Sequence, residues 1–354
     1  MRVFVSGGGT GGHFFPALAL IECLLEEKID TVFVGSERGI EKRLSDKLPV
    51  QSHFVQAYPF MGRGIKEKLI SVFKNFRGAL QVAKLLQRGD KAVVFGGYAS
   101  LPLGLACPLK GTSLYLHEQN SVPSKTNRLL WRFAKRVFIT FEYTKKYFPN
   151  EKTVKTGLPV RKSLLEGLSL SKEEALKRLG LEDKITLLVV GGSQGASFLN
   201  QIAPEVFQKT GWQGIHITGE RDYEKLEGFY KQKGLKVLVL PFSHEMHILY
   251  RASTVALSRA GASTITELSL FGVPSVFIPF PHAVGDHQYY NAKEIEDLGG
   301  GLLLRQEEVS VEGLVEKIER ILKDHELFSK SVKAFANPLA CEEIKKYILH
   351  EEGK

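Results

Sequence analysis

The 354-residue sequence has few cysteines and no long apolar run, and each absence excludes a class of protein. Its three cysteines, Cys23, Cys107 and Cys341, lie far apart and form neither a CxxC pair nor a Cys/His cluster. This spacing predicts neither a disulfide framework nor a zinc site. No apolar run reaches the roughly 20 residues of a membrane-spanning helix, and strand-like residues begin at Arg2 with no leader ahead of them. We therefore expect a cytosolic chain that is soluble or lies on a membrane surface.

The net charge of +9 is unevenly distributed along the chain. Residues 1–160 contain 24 Lys and Arg against 12 Asp and Glu, whereas the rest of the chain contains 24 against 27. A basic half attracts anionic partners such as nucleic acid, acidic lipid or a phosphorylated ligand. A basic face that is merely solvated is the simpler alternative.

Short apolar runs alternate with helix-length amphipathic segments along the whole chain. Runs rich in Val, Ile and Phe, such as TVFVGS and TLLVVGG, are typical of βαβ units with parallel sheets. The length favours two domains of similar size. We predict a doubly wound α/β fold that occurs twice, in residues 1–160 and 161–337, joined by a hinge in the segment KTGLPVRKSLLEGLSLSKEEALKRLG. A last amphipathic helix, at about 338–354, is expected to pack back onto the first domain.

Two glycine-rich turns follow apolar strands, GGGTGG at residues 7–12 and GGSQG at residues 191–195. Glycine lets backbone N–H groups approach an anion closely, and the start of the next helix adds partial positive charge, so each turn is a candidate phosphate site. The first turn also fits the GxGxxG pattern of dinucleotide-binding domains, with Glu37 as the acidic residue for a ribose. His13 favours another use, because an imidazole can act as a general base near neutral pH. A phosphate hydrogen-bond donor is the alternative role for His13.

Two further polar loops follow strands of the first half. GGYASLPLG presents Tyr98 and Ser100, and HEQN places four polar residues together at positions 117–120. Ligands of open α/β sheets bind at the carboxyl ends of strands, so these loops and the first glycine turn are expected at one edge of the sheet. The alternative for HEQN is a turn followed by a helix cap.

The second half carries its own polar cluster in SRAGASTITEL and DHQYYNA. Hydroxyl and backbone donors at the helix start near Ser263 suit a diphosphate, and Glu267, one turn further on, suits the two hydroxyls of a ribose. The alternative is a capping box between Ser263 and Glu267. Asp286 is expected to cap the next helix, on which Gln288 and Asn291 share one face and are expected to bind the same sugar.

Six motifs in register carry a resemblance that spans nearly the whole chain. GGTGGHFFPALAL, GGYASLPLG, HEQN, GGSQGA, SRAGASTITEL and DHQYYNA are similar, in order and spacing, to those of the MurG family. This family transfers N-acetylglucosamine from UDP-N-acetylglucosamine (UDP-GlcNAc) to lipid I, which gives lipid II in peptidoglycan synthesis, and it serves cell-wall growth, cell shape and cell division. The resemblance implies the GT-B fold, with the acceptor in the N-terminal domain and UDP-GlcNAc in the C-terminal domain. Where the family commonly reads GNPVR, this chain has Leu158 in place of the amide.

The resemblance also implies roles for individual residues, with His13 as the catalytic base. The acceptor side comprises Thr10, Gly11, Gly12, Tyr98, Glu118 and Asn120. The UDP-GlcNAc site comprises Thr10, Gly11, Gly12, Asn120, Arg161, Ser193, Gln194, Phe242, Ser243, Arg259, Ala262, Ser263, Thr264, Glu267, His287, Gln288 and Asn291. Phe242 and Ser243 are expected to meet the uracil through their backbone.

Such a transfer needs an activated hydroxyl and a stabilised diphosphate leaving group. Backbone N–H groups of the second glycine turn, the helix start near Ser263 and the Arg259 guanidinium can supply the positive potential. The sequence contains no DxD triplet, so we expect neither a metal nor another cofactor. Direct attack of the acceptor hydroxyl inverts the anomeric centre, and no carboxylate pair is required.

An acceptor with a polyprenyl tail stays in the bilayer, so the enzyme must reach the membrane surface. The segment at 58–89 interleaves apolar and basic side chains, which suits shallow insertion beside anionic headgroups. The predicted membrane patch comprises Ile65, Lys66, Leu69, Ile70, Phe73, Phe76, Arg77 and Trp131. The alternative is that these apolar residues only pack a helix against the sheet. We expect peripheral binding to the cytoplasmic leaflet of the bacterial inner membrane, cell-wall synthesis proteins as further partners, and no binding to nucleic acid.

Three other functions stay open at this point. A GT-B relative acting on another lipid, such as diacylglycerol, would keep the UDP-side motifs. A nicotinamide enzyme would bind NAD at GGGTGG. A membrane-associated sensor of sugar nucleotides would bind the donor without turnover.

Overall fold

The computed structural model describes residues 1–45, 48–59, 64–192 and 195–350. The chain divides into two compact units, Met1–Lys162 with Pro338–Lys354, and Ser163–Asn337. Each unit contains one parallel sheet between layers of helices. The predicted class, a doubly wound α/β fold that occurs twice, is confirmed.

The first unit is built on a seven-stranded parallel sheet in the order β3-β2-β1-β4-β5-β6-β7. Its strands are β1 (Val3–Ser6), β2 (Thr31–Ser36), β3 (Gln51–Val55), β4 (Lys91–Val94), β5 (Ser113–Glu118), β6 (Ala134–Ile139) and β7 (Thr153–Lys155). The second unit has a six-stranded parallel sheet in the order β10-β9-β8-β11-β12-β13. Its strands are β8 (Thr186–Val190), β9 (Gln213–Ile217), β10 (Val237–Leu240), β11 (Val255–Ser258), β12 (Ser275–Phe277) and β13 (Gly301–Leu303).

The helices connect successive strands and cover both faces of each sheet, which is why the central strands are apolar throughout. The first unit has α1 (Gly11–Glu26), α2 (Ile40–Arg43), α3 (Ile65–Ala83), α4 (Leu101–Lys110) and α5 (Lys125–Leu130). From the end of the first unit onward the chain forms α6 (Lys162–Glu166), α7 (Lys172–Leu179), α8 (Ser197–Thr210), α9 (Tyr223–Gln232), α10 (Met246–Ala252), α11 (Ala262–Phe271), α12 (His287–Asp297), α13 (Val311–Lys323) and α14 (His325–Phe335). The last helix is α15 (Ala340–His350).

Helix α15 returns to the first unit and packs against α1. Ile344 and Ile348 are fully buried in the core that underlies β1. The nearly buried ammonium group of Lys345 pairs with the carboxylates of Glu27 and Glu342. A buried ammonium is costly unless it is paired, so this arrangement sets the position of α15 on the first unit.

Two cysteines that are far apart in the sequence meet in this contact. Cys23 of α1 and Cys341 of α15 share a small buried cluster with Ala19, and both remain thiols. The neighbouring Cys23 thiol and burial hold the pKa of Cys341 well above its usual range.

Candidate active site

The first glycine turn leads from β1 into α1 and brings Thr10 against His13. Thr10 is the N-cap of α1, and its Oγ1 lies 2.8 Å from Nδ1 of the half-buried His13. A Cβ atom at Gly97 would lie 3.4 Å from the same Nδ1, so the imidazole adjoins the GGYAS loop. The contact of Thr10 with Nδ1 orients the imidazole ring. It therefore also sets the direction in which Nε2 points.

The half-buried Tyr98 lies over the first glycine turn. A Cβ atom at Gly9 would come within 2.7 Å of the Tyr98 ring, and Gly9 has a φ of +82°, which favours glycine. The Tyr98 hydroxyl donates to the carbonyl of Arg38. The structure thus brings the GGGTGG turn and the GGYAS loop together at the carboxyl ends of β1 and β4.

The HEQN loop is mostly internal. Glu118 is fully buried and accepts hydrogen bonds from the backbone N–H groups of Asn120 and Ser124 and from Nδ2 of Asn127. Burial raises its pKa to about 7. Its carboxylate therefore shapes the loop, and direct binding of an acceptor by Glu118 stays a prediction. Asn120 is half-buried, and its contact with a ligand also stays a prediction.

His117 is also internal. Its Nε2 donates to the carbonyl of Gly157 at 2.9 Å, its ring stacks on Phe95, and burial lowers its pKa to about 4. This residue ties the HEQN loop to the segment that leads out of the first unit. Leu158 in that segment is buried, which explains how an apolar residue is tolerated at this position.

Arg161 belongs to the first unit by its contacts. Its guanidinium carbon lies 5.4 Å from the centre of the Phe15 ring on α1. This is a cation–π geometry, in which an arginine is held by an aromatic face. The side chain is half-buried, and its ligand role stays a prediction.

In the second unit, the glycine turn follows β8 and leads into α8. Ser193 and Gln194 lie outside the described residues. Gly195 has a φ of +73°, and a Cβ atom there would come within 2.1 Å of the carbonyl oxygen of Thr218. Glycine is therefore required at this position by close packing of the turn against the segment after β9.

Arg259 follows β11 and is nearly buried. Its Nη1 donates to the carbonyls of Ile278 and Pro279, and its Nη2 donates to Oε1 of Gln306 at 2.7 Å. Burial lowers its pKa to about 10. These three hydrogen bonds tie the guanidinium to the segments that follow β12 and β13, and its binding to a nucleotide stays a prediction.

Helix α11 begins directly after Gly261, its N-cap, and exposes part of Ser263 and Thr264. Ala262 is buried behind them. The hydroxyl of Tyr250 donates to Oε2 of Glu267 at 2.7 Å. The capping-box alternative is therefore wrong, because the N-cap is Gly261 and the Glu267 carboxylate is bound from α10.

On α12, the side chains of Gln288 and Asn291 both bind the backbone of Ala260. Gln288 Oε1 accepts from the N–H groups of Ala260 and Phe280, and Asn291 Nδ2 donates to the carbonyl of Ala260 at 3.1 Å. Asn291 is fully buried, and its contact with a sugar stays a prediction. Gln288 is half-buried and remains a candidate ligand through its NH₂ group.

The remaining predicted donor-side residues lie at the start of α12 and after β10. His287 Nδ1 donates to the carbonyl of Val284, and burial lowers the pKa of this imidazole. Asp286 precedes α12 in a left-handed conformation and pairs with Arg305, which corrects the expectation that its side chain caps the helix. Phe242 is exposed, and Ser243 Oγ accepts from the N–H of Glu245.

Two residues that sequence reasoning missed complete the picture. Glu41 is fully buried beneath the first glycine turn, and Tyr250 holds Glu267. Each sits on a short helix with an ordinary sequence pattern, so only the three-dimensional contact reveals it. Among the residues that the structure describes, no three His, Cys, Asp or Glu side chains are grouped as metal ligands would be.

Two doubly wound units, each with one parallel sheet and a glycine turn after the first strand of that sheet, define a GT-B glycosyltransferase. The glycosyltransferase family 28 N-terminal domain matches residues 3–139, and the C-terminal domain of that family matches residues 186–346. With the relatives below, these matches show that the chain belongs to the MurG family of glycosyltransferases.

The chain is similar to enzymes named UDP-N-acetylglucosamine–N-acetylmuramyl-(pentapeptide) pyrophosphoryl-undecaprenol N-acetylglucosamine transferase. The Aquifex aeolicus relative is 50% identical over 338 residues, 94% of this chain and 95% of the relative. The relative from Thermodesulfovibrio yellowstonii is 37% identical, over 97% of each chain. The crystal structure of MurG from Acinetobacter baumannii is 28% identical, covers 98% of this chain and 99% of its own, and has a TM-score of 0.78.

Proposed function

We propose that this chain transfers N-acetylglucosamine from UDP-GlcNAc to the C4 hydroxyl of the N-acetylmuramoyl sugar of lipid I, with inversion, to give lipid II. The observation that carries this proposal is the 50% identity over 94% of the chain to an enzyme named for that reaction. A whole-length match includes both the acceptor-side and donor-side motifs. A diacylglycerol transferase would share mainly the donor half, so that alternative is not favoured.

In the first unit, His13 is the proposed base for the acceptor hydroxyl. Its contact with Thr10 Oγ1 fixes the ring, and its position at the start of α1 leaves it half-buried beside the exposed Thr10. Proton removal by a positioned imidazole makes the hydroxyl a nucleophile. Tyr98 and Asn120 are proposed to contact the acceptor from the adjoining loops.

In the second unit, the donor is proposed to lie over the start of α11. The backbone N–H groups there, with the hydroxyls of Ser263 and Thr264, suit the diphosphate. Glu267 is proposed to accept the ribose hydroxyls, and Gln288 to donate to the sugar. The supporting potential of Arg259 and the glycine turn after β8 stabilises the leaving UDP as negative charge accumulates on it.

The outer face of α3 supports the proposal that the enzyme docks on a membrane. Leu69, Ile70, Phe73 and Phe76 are 64%, 50%, 65% and 53% exposed. The buried face of α3 carries Ser71, Asn75, Gly78 and Ala79, followed by Val82 and Ala83 in the core. The alternative that these four apolar side chains pack against the sheet is therefore wrong. The side chains of Ile65 and Lys66 lie outside the described residues.

The charges beside this face suit an anionic lipid surface. Arg77 and Leu80 of α3 line a surface pocket of about 550 Å³ with Lys84 and Lys110. Exposed apolar side chains next to cations favour shallow insertion beside acidic headgroups. Trp131 is half-buried against the core beneath Arg132, so we propose a smaller part for it than for α3. Among the described helices, none is long and apolar enough to cross a bilayer.

The proposal is tested by a transfer assay with the purified full chain and radiolabelled UDP-GlcNAc. Three acceptors are compared in vesicles: lipid I, diacylglycerol and no added acceptor. We expect label in a lipid II product that carries a β-linked N-acetylglucosamine. Transfer to diacylglycerol alone would establish the other lipid acceptor. Binding of UDP-GlcNAc without transfer to any acceptor would establish a sensor instead.

A further inference from the structure

The carboxylate of Glu41 fills the inner side of the first glycine turn. Glu41 is fully buried on the four-residue helix α2. Its Oε2 accepts a hydrogen bond from the N–H of Gly9 at 2.9 Å, and its Oε1 accepts one from the N–H of Ser36 at 3.2 Å. A side chain of this protein therefore already uses a backbone donor that such a turn would otherwise offer to a phosphate.

Three glycines make room for this carboxylate. Cβ atoms at Gly8, Gly35 and Gly39 would come within 2.4, 2.9 and 2.3 Å of Glu41 atoms. Contacts this short are not tolerated in a packed interior. Glycine at positions 8 and 39 is thus explained by the space that Glu41 occupies, and glycine at position 35 by Glu41 together with Phe33.

Gly9 is held from two sides. Glu41 binds its N–H, and the Tyr98 ring lies against its Cα. The Tyr98 hydroxyl donates to the carbonyl of Arg38, which lies three residues before Glu41. This hydrogen bond therefore connects the two groups that contact Gly9. The next residue, Thr10, begins α1 and contacts the imidazole of His13.

We propose that Glu41 is a positioning residue of this glycosyltransferase that also excludes dinucleotides from its first unit. Its carboxylate fixes the Gly9 turn, and the turn fixes Thr10 and His13. Because the same carboxylate takes the N–H of Gly9 and fills the space beneath the turn, the turn cannot offer that donor to the pyrophosphate of NAD. The positioning part rests on the proposed role of His13, whereas the exclusion part stands without it.

The positioning part is tested by chemical rescue of Glu41→Ala. This change removes a group about the size of acetate and leaves the N–H groups of Gly9 and Ser36 facing the gap. We expect turnover with lipid I to fall at least about 10-fold, because a small displacement of a catalytic group is costly. The affinity for UDP should not change. Sodium acetate should restore most of the lost turnover, and sodium chloride at equal ionic strength should not.

Glu37→Gln is the matched control, because it removes an exposed carboxylate that lies four positions before Glu41. It should behave as the unchanged chain does, with and without acetate. Wild-type turnover in Glu41→Ala, or a loss that acetate does not reverse, would overturn the positioning role. If Glu41→Ala does not fold, Glu41→Gln replaces it: the amide oxygen can accept from only one of the two N–H groups, so we expect an intermediate loss of turnover, and no loss overturns the proposal.

Two readouts separate this inference from the proposed function. Amide hydrogen exchange at residues 7–13 should be faster in Glu41→Ala and slower again with acetate, whether or not the chain transfers sugar to lipid I. Titration of the unchanged full chain with NAD should show no binding, and clear NAD binding would overturn the exclusion. Failure of transfer to lipid I by the unchanged chain, with the acetate-dependent exchange intact, would refute only the proposed function.

Discussion

The phenolic oxygen of Tyr250 on α10 lies 2.7 Å from Oε2 of Glu267 on α11. The tyrosine hydroxyl donates this bond, so it orients the carboxylate toward one direction. Glu267 sits half-buried one turn into α11, close to the exposed hydroxyls at the helix start. A buried tyrosine thus sets the direction of the carboxylate that we assign to the ribose.

We expect Glu267→Ala to weaken UDP-GlcNAc binding by about 10- to 100-fold, the range for lost hydrogen bonds to a charged group. Tyr250→Phe should weaken it by a smaller factor, since the carboxylate stays but loses one orienting bond. Isothermal titration with UDP measures both. Unchanged affinity in Glu267→Ala, together with a lower unfolding temperature, would assign Glu267 to stability alone.

We expect His13→Ala to lower turnover at least about 100-fold while UDP affinity stays nearly intact, because the base acts on the acceptor. Thr10→Val keeps the shape of the neighbouring side chain but removes its oxygen, and it should lower turnover by about 10-fold. Steady-state kinetics with lipid I measures both variants. A near-normal turnover in His13→Ala would show that this residue is not the base. A selective loss of phosphate binding would instead favour His13 as a hydrogen-bond donor to a phosphate.

The adjacent residues His117 and Glu118 should have opposite effects on stability as the pH changes. Burial lowers the pKa of His117 to about 4, so its contribution is lost as the pH falls below the unfolded value of about 6.5. Burial raises the pKa of Glu118 to about 7, so its contribution is lost as the pH rises above the unfolded value of about 4.5. Between about pH 4.5 and 6.5 the two effects cancel.

Single variants at either residue should therefore show a change of stability with pH that cancels in the unchanged chain. Relative to the unchanged chain, Glu118→Gln should gain stability with rising pH at about 1.4 kcal/mol per pH unit in this range, and His117→Gln should lose it at a similar rate. Urea unfolding monitored at several pH values gives both slopes. Parallel curves for the two variants would show that neither group has the shifted pKa.

In the second unit, His216 joins a buried polar chain to Tyr230 and Asn200, and burial lowers its pKa to about 3. It stays neutral when folded, so the unit should lose stability as the pH falls below about 6.5, at about 1.4 kcal/mol per pH unit. His216→Phe should flatten this acid slope while lowering stability at pH 7, because it leaves the Tyr230 hydroxyl and the Asn200 oxygen with one partner fewer. An equally steep acid slope in the variant would contradict the assignment.

Two exposed leucines, one on α3 and one on α14, give a matched pair of surface variants that tests membrane docking by α3. Leu69 of α3 and Leu327 of α14 are 64% and 66% exposed, and α3 also exposes Ile70, Phe73 and Phe76. We expect Leu69→Ser to weaken binding to vesicles with acidic phospholipid by about 10-fold, the value of one buried leucine, and Leu327→Ser to have little effect. Vesicle sedimentation measures both. Equal effects would place the docking surface elsewhere.

Much of the architecture could be predicted from local pattern. Apolar runs such as TVFVGS and TLLVVGG became central strands because strands covered on both faces must be apolar. Local pattern does not show which partner a polar group binds. The carboxylate of Glu118 and the amide of Asn291 are both buried and bind backbone groups, and their binding to a ligand stays a prediction.

The two doubly wound units, the glycine turns and the family with its general chemistry follow from the amino-acid sequence alone, because these depend on periodicity and on residues that lie close together in the chain. Which polar side chains support a loop and which face solvent depends on contacts between distant parts of the chain. Arg259 reaches Gln306 across 47 positions, and Glu41 reaches Gly9 across 32. A guanidinium or carboxylate binds a backbone group as readily as a substrate, so its use is settled by what the fold brings beside it.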